Sequence, residues 1–231
     1  MSWRILCDFD GTIATRDVTD SLLEEFALPG WEEIESAWKN GRIGSRDCMS
    51  GQVDLIRATR RQLDDHLDSV EIDPGFPAFA ATCADAGVPL TVVSDGLDYA
   101  IRRILVRHGL GGLPVLANRL EMAGPDRYRL AFPHANPDCA KSSGTCKCAI
   151  AASDATGGAK GGVLNLLIGD GASDMCAAGA VDLVFAKDKL LTYCRDRHLP
   201  FVAFRDFVHA NDLLATLLEE PRRLGVAAAF G

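Results

Sequence analysis

The chain alternates between short apolar runs and segments whose apolar residues recur every three or four positions. Residues 4–9, 89–94, 163–168, 183–186 and 201–204 are the apolar runs, and each has the length of a strand. Helical spacing over 76–86, 99–108, 145–153, 173–180, 189–197 and 211–219 separates them. Strands joined by helices predict a parallel sheet covered on both faces. Residues 115–120 and 127–131 read as a small hairpin. Between 13 and 72 there is no strand pattern, and 19–26, 31–38, 45–58 and 61–70 carry helical spacing instead. Asp73-Pro74-Gly75 is a turn and marks a boundary. The organisation expected is an α/β core domain from 1–12 and 76–231, interrupted by a small all-helical domain over 13–75. A glycine-rich turn is expected over 157–162, and a mobile tail after Pro221.

Composition changes this picture little. With 231 residues, 48% of them hydrophobic and 24% charged, the chain has ample material for one α/β core with an insert. The net charge of −8 argues against nucleic acid as a partner, which would call for a basic face. Arg60-Arg61 and Arg222-Arg223 are too short to supply one and read as solvated helix surface. No stretch approaches the roughly 18 apolar residues that span a membrane. The start of the chain enters a strand and a carboxylate without a signal-peptide pattern, so a cytoplasmic location is the default expectation. Most of the eight cysteines stand singly in apolar segments, as small buried hydrophobes of a reducing compartment do.

In open parallel sheets, ligands bind at the carboxyl ends of the strands. Three polar motifs fall there: Asp8-Phe9-Asp10, Ser94-Asp95-Gly96 and Gly169-Asp170-Gly171. On an extended segment Asp8 and Asp10 point the same way, and two such carboxylates call for a nearby cation. Asp170 and Asp174 add more acid. Carboxylate oxygens of this kind select Mg²⁺, with a phosphate oxygen and waters completing its shell. Ser94, with small-residue backbone N–H groups behind it, makes a phosphate nest, or else caps the following helix. Lys147 would neutralise phosphate, and Lys160 is its rival.

The series Asp8-Phe9-Asp10-Gly11-Thr12, Ser94, Lys147 and Gly169-Asp170-Gly171-Ala172-Ser173-Asp174 resembles the haloacid dehalogenase superfamily over nearly the whole chain. In its phosphoserine-phosphatase-like subgroup the lysine lies about twenty residues before the Gly-Asp motif. Lys147, 23 residues before Asp170, fits that better than Lys160. The resemblance implies a Rossmann-like core with a helical cap over 13–75. It implies that Asp8 attacks phosphorus to form an aspartyl-phosphate. Asp10 would protonate the leaving group and then activate water. Asp8, the Asp10 backbone carbonyl and Asp170 would hold Mg²⁺, with Asp174 in support. Ser94, Lys147 and the backbone at Phe9 and Gly96 would grip the phosphoryl oxygens.

Within that subgroup the closer likeness is to the methylthiopentenyl-phosphate phosphatases of methionine salvage. It is carried by Phe132-Pro133-His134, the cysteine-rich run up to Cys146-Lys147, Asp182-Leu183-Val184-Phe185-Ala186-Lys187-Asp188, residues 190–194 and Phe204-Arg205-Asp206-Phe207. Phosphoserine phosphatases have a Glu nine residues after the nucleophile, where this chain has Asp17, and a cap Arg where it has Gln52, with Arg57 nearby. An amino-acid substrate would leave its carboxylate unpaired there. Asp17 also reads as a helix N-cap. The partner expected is a small-molecule phosphate ester, with no nucleic acid and no membrane, for a monomer or homodimer. The alternatives are phosphoserine hydrolysis, phosphoryl transfer to a second substrate, and a non-catalytic phosphate-binding module. Cys139, Cys146 and Cys148 near His134 read as reduced thiols bracing a loop, with a zinc site or a redox pair as alternatives. His134 faces the substrate or makes a structural hydrogen bond.

Overall fold

The computed structural model describes residues 2–153 and 163–224. The expected turn over 157–162, Lys160 within it, and the tail beyond Leu224 lie outside them. The chain divides into two compact units: Met1–Ile13, Ile72–Val92 and Lys147–Gly231 form one, Ala14–Glu71 and Val93–Cys146 the other.

The first unit is built on β1 (Ser2–Cys7), the start of β2 (Leu90–Leu97), β5 (Val163–Gly169), β6 (Leu183–Ala186) and β7 (Phe201–Ala203). Their order is β2-β1-β5-β6-β7, and every pairing is parallel. β1 is buried at five consecutive positions and β6 at all four. Burial on both faces is why these strands read as unbroken apolar runs. Arg4 is the exception in β1. It pairs in register with Asn165 of β5, donates to that side chain and donates to the Ala151 carbonyl at 2.6 Å. A buried guanidinium is tolerable only with such acceptors. α5 (Phe76–Asp85) and α10 (Phe207–Glu219) pack through Phe76, Phe79 and Phe207, with ring centroids 4.8 to 6.4 Å apart. The turn at Asp73-Pro74-Gly75 joins this packing, because the Asp73 carboxylate accepts from the Gly75 and Phe207 amides.

The second unit holds α1 (Val18–Phe26), α2 (Trp31–Lys39), α3 (Ser45–Asp54), α4 (Arg60–Leu67) and α6 (Asp98–Arg107). β3 (Val115–Met122) and β4 (Tyr128–Ala131) pair antiparallel, the hairpin that the spacing predicts. Here the strand order is β4-β3-β2, and the far end of β2 belongs to this unit. α3 stops four residues short of the predicted end. Ile56 instead bridges to Ala27 and the Arg57 amide donates to the Phe26 carbonyl at 2.9 Å, so tertiary pairing overrides local spacing.

Candidate active site

Parallel register brings the first acids together. Cys7 of β1 lies opposite Ile168 of β5, so the carboxyl ends of the two strands are side by side. The Asp8 amide donates to the Ile168 carbonyl at 2.9 Å. Asp8 follows β1 directly and is only 5% exposed. Asp170 follows β5, and Asp174 lies just ahead of α8 (Met175–Ala178). One carboxylate oxygen from each of Asp8, Asp170 and Asp174 falls within 4.8 Å of the others.

Lys147 enters this cluster from the first residue of α7 (Lys147–Ala152). Its side chain is 1% exposed. Its Nζ stands 2.7 Å from Asp8 Oδ1 and 2.6 Å from Asp174 Oδ1, and it donates to the Ser173 hydroxyl at 3.1 Å. Burial works against its charge, but Asp174 and Asp8 together outweigh burial and raise its pKa. Asp8 is pushed well above the usual carboxylate range by burial first and the charge of Asp174 second, with Lys147 opposing both. Burial also raises Asp170, against a hydrogen bond from Thr12. Three carboxylates against one ammonium leave excess negative charge, which a divalent cation among hard oxygen donors would balance. The donor set therefore fits Mg²⁺.

The surrounding backbone is arranged to serve these acids. Thr12 Oγ1 donates to Asp170 Oδ1 at 2.8 Å. The Asp170 and Gly171 amides donate to Asp174 Oδ2 at 3.3 and 3.2 Å. Gly11 has φ +71°, and a Cβ there would stand 2.7 Å from Asp170 Oδ2, so only glycine fits this turn. A Cβ on Gly169 would collide with the Asp174 carboxylate. The Phe9 amide donates to Asp8 Oδ1 at 2.8 Å. Asp10 lies in the turn after the strand rather than on an extended segment, and the three-acid cluster takes Asp170 and Asp174 beside Asp8. Thr12 and Ser173 were visible within their motifs, but only the contacts give them work.

Ser94, Gly96, Asp17 and Gln52 belong to the second unit. Ser94 is buried, and its Oγ accepts from the Gly96 amide at 2.9 Å. It is no helix cap, because β2 continues to Leu97 and Leu97 is the N-cap of α6. Asp17 does cap α1, accepting from the Asp20 amide at 2.9 Å. Gln52 is buried in α3. Arg57 spends its guanidinium on the Asp54 and Ile56 carbonyls. Cys139, Cys146 and Cys148 are in no disulfide. The His134 backbone carbonyl accepts from the Cys146 amide at 3.0 Å. Burial, with Arg119 adding to it, lowers the His134 pKa. Among the described residues the metal-capable group is the aspartate cluster. Among these residues no helix is long and apolar enough to cross a membrane.

The sequence profile of the haloacid dehalogenase-like hydrolases matches residues 5–179. The 2-hydroxy-3-keto-5-methylthiopentenyl-1-phosphate phosphatase of Brevibacillus brevis is 27% identical over 94% of this chain and 96% of its own. The protein of that name from Lysinibacillus sphaericus is 30% identical over 87% of this chain and 90% of its own. Among solved structures, a phosphoserine phosphatase captured as a phospho-aspartyl intermediate analogue superposes with TM-score 0.67 at 18% identity, over 93% of this chain and 99% of that one. A hydrolase of Salmonella enterica gives TM-score 0.70 at 19% identity, over 94% and 71%. These structural likenesses bear on the fold alone. The chain belongs to the haloacid dehalogenase-like hydrolase family and, within it, to the phosphatases.

Proposed function

We propose that the protein is a Mg²⁺-dependent phosphomonoesterase that hydrolyses a small metabolite ester through an aspartyl-phosphate on Asp8. The observation that carries this reading is the buried Lys147 held between Asp8 and Asp174 at 2.7 and 2.6 Å. A lysine buried this deeply keeps its charge only where anions need it.

In this reading Asp8 Oδ1 or Oδ2 attacks phosphorus and the ester oxygen departs with a proton from Asp10. Asp10 then takes a proton from water, which displaces Asp8 and releases phosphate. Lys147 offsets charge on the phosphoryl oxygens as it builds. The Phe9 amide, Ser94 and the Gly96 amide are the further candidates for phosphate contact. Asp8, the Asp10 carbonyl and Asp170, supported by Asp174, would hold Mg²⁺, which supplies charge neutralisation for nucleophile and phosphate. The helices over 13–75 act as the cap that chooses the ester, with Gln52 and Asp17 as its substrate-facing candidates.

The ester favoured is 2-hydroxy-3-keto-5-methylthiopentenyl-1-phosphate, after the curated relatives. Phosphoserine is less favoured. Asp17 is engaged as a helix cap, Gln52 carries no charge, and Arg57 is committed to backbone carbonyls. A phosphate-release screen over both esters and other metabolite phosphates, with Mg²⁺ and with chelator, tests the reading. Release from the methylthiopentenyl ester that chelator abolishes is the expected result. No release from any ester would favour a non-catalytic phosphate-binding module instead.

A further inference from the structure

We propose that Asp95 is a positioning residue whose bond to Ser45 fixes helix α3, and through it the choice of substrate. This inference rests on the phosphatase reading above, in which α3 belongs to the cap and Ser94 and Gly96 are candidates for phosphate contact. Asp95 stands between those two residues and shares the second unit with α3.

The two oxygens of this carboxylate have separate duties. Oδ1 accepts from the Thr145 amide at 2.9 Å and from Asn118 Nδ2 at 3.1 Å. Asn118 is fully buried, also donates to the Asp95 carbonyl at 2.5 Å, and accepts from the Thr145 hydroxyl at 3.2 Å. There is no room to shift, since a Cβ on the adjacent Gly144 would collide with Asn118 and lie 2.6 Å from the Phe132 ring. One side of Asp95 is therefore locked to β3 and to the segment that leads into Lys147.

Oδ2 accepts from the Ser45 hydroxyl at 2.6 Å. Ser45 is the first residue of α3, the helix that carries Gln52. The N-cap of α3 is Gly44, which offers no side-chain acceptor. A helix start leaves amide donors in need of acceptors. The Arg46 amide donates to the Ser142 carbonyl at 3.0 Å and the Ser45 amide to the Lys141 carbonyl at 3.4 Å. The beginning of α3 is thus seated on the same loop that Asp95 anchors at Thr145. Ser45 is the one side-chain tie between the start of α3 and that carboxylate among the described hydrogen bonds. Loss of the tie frees α3 to shift and blurs Gln52's position. The grip on phosphate is unaffected, because Oδ1 keeps its donors.

The test uses the full chain with Mg²⁺ and the variants Ser45→Ala, Ser45→Thr and Asp95→Asn. KM and kcat are measured for the methylthiopentenyl ester, for phosphoserine, and for p-nitrophenyl phosphate as an ester with little for a cap to read. Amide exchange is followed over 45–54. Ser45→Ala is expected to raise KM about tenfold for whichever metabolite ester is turned over, with kcat and p-nitrophenyl phosphate hydrolysis within twofold of the parent. Exchange over 45–54 speeds up about tenfold. Ser45→Thr restores both readings. Asp95→Asn keeps them, since the amide oxygen can face Thr145 and the amide nitrogen can donate to Ser45, and the pH profile stays as in the parent. An equal fall in kcat on every ester, or unchanged KM and exchange in Ser45→Ala, overturns the proposal. A parent protein that turns over no ester defeats the phosphatase reading and this specificity role with it, while exchange still reports whether Ser45 holds α3.

Discussion

Asp8 and Asp95 both lie in polar motifs that close apolar strands, and they are satisfied in opposite ways. Asp8 meets a buried ammonium, two more carboxylates and little water. Among the described hydrogen bonds Asp95 meets neutral donors: a hydroxyl, a backbone amide and a side-chain amide. Charge left unbalanced and out of water is costly, so it persists where chemistry uses it. A carboxylate whose two oxygens are both held by neutral donors is suited to fixing geometry. In the readings proposed above, the difference separates a residue that reacts from one that positions, although both follow apolar runs in sequence.

The largest effect expected is from Asp8→Asn. Turnover should fall by at least about 10³-fold, as loss of a nucleophile does, and residual full activity would refute Asp8 as the attacking group. The same change should raise the melting temperature of the Mg²⁺-free protein at neutral pH. The Asp8 pKa is raised in the fold, so its stabilising contribution is complete below the unfolded value and fades as pH climbs through the folded one. An amide cannot ionise and escapes that loss. At the other region Gly144→Ala should cost about 1–3 kcal/mol by overpacking against Asn118 and Phe132, measured by urea denaturation. A neutral result there would mean the Asp95 seat is loose. The smallest effect expected is at Asp20, an acid outside both regions. Burial and then Asp17 raise it to about 6 from 3.8. Its contribution is whole below pH 3.8 and is lost as pH rises towards 6. Solvent screening limits this to under about 1 kcal/mol. Asp20→Asn should flatten stability across that window, as thermal melts at several pH values would show.

Much of the fold was legible because burial on two faces leaves an unmistakable apolar run. The five parallel strands and the hairpin fall where the pattern puts them. Boundaries were less so. The helix over 211–219 begins already at Phe207, because Asp206 accepts from the His209 amide and Phe207 packs on α5. The helix over 173–180 shrinks to Met175–Ala178, since Asp174 and Ser173 are committed to Lys147. Lys147 was found by its spacing from Asp170, and nothing local marks it as buried. Asp95 passed as a companion of Ser94, because its three donors come from residues 45, 118 and 145, far apart in sequence.

By itself the sequence determined the parallel α/β plan, the acids at the strand ends and the family to which they point. Those follow from periodicity and from residue types that only a few positions tolerate. Only the tertiary structure decided how each carboxylate is satisfied: Asp8, Asp170 and Asp174 around a buried lysine, Asp95 by neutral donors. Electrostatic environment depends on distance in space and on exclusion of water, and neither is written in the spacing along a chain.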